Sequence, residues 1–158
     1  WKTVKNTAMV VRIDKGEKND VHPIYKNLLV VTFASCALHL QYDKKVPYSG
    51  PYINNANKDN KAEISFDFVY SGLTALGEEL KGFSIVGADY NFDGQETELG
   101  RKVFVWSDIV ERPIAVRYGW SNWTEANLFN KEGFPATPFR TDNFSLMTEG
   151  IYYPMKIR

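Results

Sequence analysis

The chain has 158 residues, of which 44% are hydrophobic and 15% aromatic. That is enough to bury one ordinary core or two small ones, and the aromatic share favours β structure or a carbohydrate-facing surface. Nineteen basic and nineteen acidic side chains balance, so no net field draws nucleic acid or an anionic membrane, and neither is expected as a partner.

Ala8–Asp14 is apolar and β-branched and reads as a buried strand ending at Asp14. Lys15–Asp20 is a polar loop. From Pro23 to about Tyr42 the pattern predicts a helix, with Leu28, Val31, Ser35, Leu38 and Tyr42 on its core face. Cys36, the only cysteine, excludes an intrachain disulfide or a cysteine-rich zinc site. Lying in the apolar run Leu28–Leu40, it reads as a buried structural thiol rather than a nucleophile. That run is shorter than the roughly 20 residues a bilayer requires. Strand, loop and helix make half of a βαβ unit, which does not fold alone. The other half is expected from residues before Trp1 or from another chain. Trp1 standing where Met would points the same way, to a processed chain or a piece of a longer one.

Val46–Tyr52 is a Pro/Gly-rich boundary, and Asn54–Lys61 reads as a turn or flexible loop. Ala62–Tyr70 then alternates with period two, Ile64, Phe66 and Phe68 on one side and Glu63, Ser65 and Asp67 on the other. Gly82–Gly87, Lys102–Trp106 and Pro113–Gly119 read as further strands. Short strands at this spacing predict an antiparallel β-sandwich. Residues 120–158 are aromatic, proline-rich and loop-like. The expected fold class is therefore mixed α/β. Residues 1–47 form a strand–loop–helix unit, 48–61 a linker, 62–142 a sandwich-like domain and 143–158 a tail.

Asn19-Asp20-Val21-His22-Pro23 places a carboxylate beside one of only two histidines. A histidine is the usual general base near neutral pH, and an adjacent carboxylate can fix its tautomer. A polar loop capping a helix has the same composition. Asp89, Asn91, Asp93 and Gly94 resemble the front of a calcium loop, but position twelve is Gly100, and a turn rich in Asp, Asn and Gly looks alike. Asn122-Trp123-Thr124 and Asn143-Phe144-Ser145 are glycosylation sequons, meaningful only in a eukaryotic secretory pathway. Trp120, Trp123, Phe129, Phe134 and Phe139 form an aromatic series suited to stacking on sugars or to packing loops on a sandwich. No Gly-x-Ser-x-Gly elbow is present. The residues alone give a base and an acid without a nucleophile, joined to a β module.

Four stretches carry a resemblance. They are Asn19–Pro23, Lys45–Pro51 (KVPYSGP), Leu80–Asp89 (LKGFSIVGAD), and Pro113–Trp120 (PIAVRYGW) followed by Asn127–Asp142 (NLFNKEGFPATPFRTD). Together they resemble the C-terminal region of sialate O-acetylesterases, from about Val10 to Asp142. That family belongs to the SGNH hydrolases, which have an α/β core and a serine nucleophile. The resemblance implies that residues 1–47 end such a core and that His22 is the catalytic base, with Asp20 its neighbouring acid. In the wider SGNH pattern the acid falls at position 19, which is Asn here. No counterpart of the nucleophile motif lies in this chain, so the implied partner is the polypeptide that carries the serine. The implied substrate is an O-acetylated sugar, with no metal or cofactor. The implied setting is secreted or periplasmic, or lysosomal in a eukaryote. The alternative expectation is a non-catalytic carbohydrate-binding β module or a structural subunit, with Trp120 and Trp123 contacting sugar.

Overall fold

The computed structural model describes residues 1–20, 22, 26–59, 61–89, 92–93, 96–146 and 148–151. One helix and ten strands follow in chain order. They are α1 (Lys26–Leu40), β1 (Tyr52–Lys58), β2 (Ala62–Asp67), β3 (Leu73–Ala75), β4 (Phe83–Val86), β5 (Phe92–Asp93), β6 (Glu96–Leu99), β7 (Val103–Trp106), β8 (Ala115–Tyr118), β9 (Leu128–Asn130) and β10 (Phe139–Arg140). One sheet runs β1-β2-β7-β6, a second β10-β8-β4-β5, and β3 pairs with β9. Every strand pair is antiparallel.

The alternation in β2 does what its period requires. Ala62, Ile64 and Phe66 are buried, while Glu63, Ser65 and Asp67 are partly exposed. Ile64 sits opposite Val103 and Ala62 opposite Val105, so β7 adds to the same inner face. The second sheet answers with Phe83, Ile85, Val116, Tyr118 and Phe139, and both sheets share one apolar core. Phe66 and Phe139 meet edge to face across it, centroids 6.1 Å apart. Tyr118 is fully buried, and its hydroxyl oxygen accepts the Leu128 N–H at 2.8 Å. Burial pushes its phenol well above the ordinary range. The expected sandwich is present.

Three local expectations differ. The stretch expected to be a linker contains β1, which pairs along its length with β2. Its polar Asn-rich sequence suits an edge strand, where one side of the backbone meets water. Residues 8–14 are irregular, because a strand needs a neighbour and none of the described residues runs beside them as one. Ile13 instead packs against the sandwich core.

The helix forms as expected, but its core face is rotated by about one position. Cys36 is buried and Thr32 and His39 half-buried, while Val31, Leu38 and Tyr42 are exposed. A segment apolar on nearly every side has no single preferred face, so periodicity could not choose one. The sandwich side is fixed by Tyr48, whose ring stacks on His39 at 4.1 Å and whose carbonyl accepts the Cys36 S–H at 3.4 Å. Among the described residues no helix is long and apolar enough to cross a membrane.

Candidate functional site

The loop that carries the candidate base is built by local bonds. Lys15 N–H donates to Arg12 O at 3.4 Å and Asp20 N–H to Glu17 O at 3.4 Å, closing two turns. Asp20 Oδ1 then accepts the backbone N–H of His22 at 2.8 Å. This is an Asx turn, the usual use of an aspartate two residues ahead of a donor. Asp20 and His22 are thus brought together through the backbone amide, and both are exposed. Val21, Pro23, Ile24 and Tyr25 lie outside the described residues. Asp14 stands at the foot of the loop. Its Oδ2 pairs with Lys15 Nζ at 3.3 Å, and its Oδ1 is buried with no hydrogen-bond partner among the described residues.

Cys36 behaves as a structural thiol. Burial raises its pKa and its S–H donates into the Tyr48 carbonyl, so little thiolate forms near neutral pH. In the calcium-like stretch, Asn91 and Gly94 lie outside the described residues. Strands β5 and β6, on either side of Gly94, belong to different sheets. Among the described residues no group of three or more His, Cys, Asp or Glu could hold a metal ion.

The aromatic series splits. Phe129 and Phe139 are buried and Phe134 half-buried, whereas Trp120 and Trp123 are 44% and 48% exposed. Trp120 lies over Arg140, whose guanidinium carbon is 5.6 Å from a ring centroid. Beside it, Arg117 forms a two-pronged pair with Asp142, Nε to Oδ2 at 2.7 Å and Nη2 to Oδ1 at 2.8 Å. The Asp142 side chain is 1% exposed. The Arg117 hydrogen bonds hold its carboxyl below the ordinary aspartate range, helped by the Phe144 N–H and by Arg140. Sequence reasoning gave this pair no role, because Arg117 lies on β8 and Asp142 just beyond β10, and only the fold pairs those strands.

The distinctive stretches of the sequence meet one another. Asn130 is fully buried and donates to Ser49 O at 3.0 Å and Phe68 O at 3.1 Å, while its Oδ1 accepts the Phe134 N–H at 2.9 Å. Thr137 N–H donates to Pro51 O at 2.9 Å. A Cβ on Gly50 would lie 1.8 Å from the Pro135 carbonyl oxygen, so KVPYSGP and FPATP touch backbone to backbone. Asn127 Oδ1 accepts the Lys81 N–H at 2.7 Å, tying LKGF to the same segment. Val116 N–H donates to Thr141 Oγ1 at 2.9 Å. These motifs form a polar scaffold that locks the loops of the sandwich. Asn19, Asp20 and His22 take no part in the bonds just named.

No family model and no curated protein matches the chain. Among solved structures it is similar to a carbohydrate acetylesterase from Xanthomonas citri, at 40% identity and a TM-score of 0.81. The match covers 85% of this chain and 32% of that one. The chain is thus related in sequence and fold to part of a carbohydrate esterase, and it spans about a third of that protein's length.

Proposed function

We propose that this chain is part of a sugar O-acetylesterase, supplying the histidine and its acid to a serine nucleophile carried elsewhere. The observation that carries the reading is the 40% identity, over 85% of the chain, to a carbohydrate acetylesterase. The loop chemistry fits. His22 is exposed on a loop whose turn is held by Asp20. In the proposed reaction the serine Oγ attacks the acetyl carbonyl while His22 takes its proton. The tetrahedral intermediate collapses, and His22 returns the proton to the departing sugar oxygen. Water, deprotonated by the same imidazole, attacks the acetyl-enzyme and releases acetate and free serine. An O-acetylated sialic acid belongs to the substrate class, as do other acetylated glycans. SGNH-type assembly, a catalytic partner polypeptide and a setting outside the cytoplasm belong to the same proposal.

Two features support a second surface against the N-terminal region. Val30, Val31, Phe33 and Leu38 are all exposed on α1, an apolar cluster of the kind that marks an interaction face. The buried Asp14 Oδ1 without a partner would cost about 1–3 kcal/mol unless a donor from elsewhere reaches it.

A fluorophosphonate probe tests the reading on the native preparation. Label on a polypeptide that co-purifies with or continues from this chain, lost after competition with an acetylated sugar, is the expected result. Absence of label together with absence of acetate release from acetylated glycans would overturn it.

A further inference from the structure

A depression of about 610 Å³ opens on the sandwich between the Gly119–Asn122 loop and the stretch Ser145–Thr148. Sites for small molecules have volumes of roughly 300–1,000 Å³. Arg117, Trp120, Asn122, Pro138, Ser145 and Thr148 are among the residues that line it. The lining is amphiphilic, with one large aromatic ring and a proline set among an amide, three hydroxyls and a guanidinium. A pyranose has the complementary form, an apolar C–H face and a rim of hydroxyl groups that donate and accept.

The pocket is also braced before any ligand arrives. Arg140 supports the Trp120 ring, and its Nη1 donates to the Phe144 carbonyl at 2.9 Å. Asp142 fixes the guanidinium of Arg117. Ser121 Oγ donates to Trp123 O at 2.7 Å and closes the loop that presents Trp120. Side chains held this way lose less entropy on binding than free ones do. A Cβ on Gly119 would lie 2.8 Å from Ile13 Cδ1. The pocket therefore borders the segment that leads into the Asp20–His22 loop.

We propose that this pocket is a non-catalytic glycan subsite, which binds one pyranose unit by stacking it on Trp120 and hydrogen-bonding its hydroxyls to the polar rim. The proposal goes beyond the esterase reading and does not depend on hydrolysis. Its test is isothermal titration of the complete protein carrying His22→Ala, so that no ligand is turned over, with xylotetraose, cellotetraose and sialyllactose. Saturable binding of at least one is expected. Trp120→Ala should weaken it about tenfold, on the scale of one aromatic contact. Trp123→Ala, equally exposed but outside the pocket lining, should leave it unchanged. Thr148→Trp, at an exposed position, should fill the pocket and remove binding even if Trp120→Ala does not fold. No saturable heat with any of the three sugars up to about 10 mM, the weak end of measurable affinity, would overturn the proposal. So would binding that survives both Trp120→Ala and Thr148→Trp. Binding without fluorophosphonate labelling would keep the subsite and remove the esterase reading.

Discussion

The N-terminal loop and helix and the C-terminal sandwich differ in how far each satisfies itself. In the sandwich, sheet faces cover each other, the deepest tyrosine hydroxyl is bonded, and Asn127, Asn130 and Asp142 make several hydrogen bonds each. In the N-terminal part, α1 shows large apolar side chains to solvent, and among the described residues, residues 8–14 have no ladder and a buried carboxylate oxygen of Asp14 has no partner. On the proposed esterase reading, the difference teaches that stability and chemistry are separately housed. The sandwich carries nearly all the distinctive motifs and uses them as scaffold. The candidate base lies in the part whose own contacts are sparse.

The strongest way to break this comparison is His22→Ala in the complete protein. On the esterase reading, kcat for acetate release falls by about 10³-fold, the scale of a lost general base. The thermal midpoint should not move, because His22 is exposed. A variant that keeps more than a tenth of wild-type kcat would remove His22 from the mechanism.

Gly50→Ala should show the reverse pattern. Its Cβ would meet the Pro135 carbonyl oxygen at 1.8 Å, backbone against backbone, where no side chain can give way. We expect a loss of about 3 kcal/mol, at the upper end for forced overpacking, read as a lower denaturant midpoint. Asp142→Asn comes next, at about 2–3 kcal/mol, because Arg117 loses its charged partner yet stays partly solvated. The pH dependence follows in sign. The folded pKa of Asp142 lies below its unfolded value. Its contribution is complete above the unfolded aspartate pKa and is lost as pH falls through the lower folded one. The wild-type sandwich should therefore lose stability below about pH 4 more steeply than Asp142→Asn. Parallel acid titration curves for the two proteins would show that the pair is not coupled to folding.

Much of the sandwich was legible in the sequence. The alternation of Ile64, Phe66 and their polar neighbours has a period only a half-buried strand explains. The Val-rich runs at 103–105 and 115–116 likewise land in the core. Strand β1 was not legible, because Asn54, Asn55 and Asn57 carry turn composition and are strand only by virtue of pairing with β2. The helix was legible as a helix but not in its orientation, since apolar residues surround it. The polar loop at Lys15–Asp20 was readable from composition, while the bond from the His22 backbone to Asp20, the Arg117–Asp142 pair and the Trp120 pocket were not. The pair and the pocket depend on β8 and β10 being adjacent in a sheet. The long motif from 127 to 142 carried the resemblance, yet in the fold it chiefly holds loops together.

The smallest expected effect sharpens the comparison most, because its sign separates two states of the same helix. Val31→Thr exchanges a methyl for a hydroxyl of equal size on the outer face of α1, where Val31 is 61% exposed. If that face meets only water, the change is neutral to within about 0.5 kcal/mol, as for ordinary surface substitutions. If a second apolar surface covers it in the complete protein, the added hydroxyl is taken out of water, and even bonded back to a helix carbonyl as Ser35 is, it costs about 1 kcal/mol or more. The proposed esterase assembly requires the second outcome. Cys36→Ser is the internal control, since the serine hydroxyl can donate to the same Tyr48 carbonyl that the thiol uses. Its cost should be the same whether or not anything covers the outer face. A Val31→Thr loss that appears in the complete protein while Cys36→Ser stays constant would locate the missing contact on the outer face of the helix rather than on its packing against the sandwich.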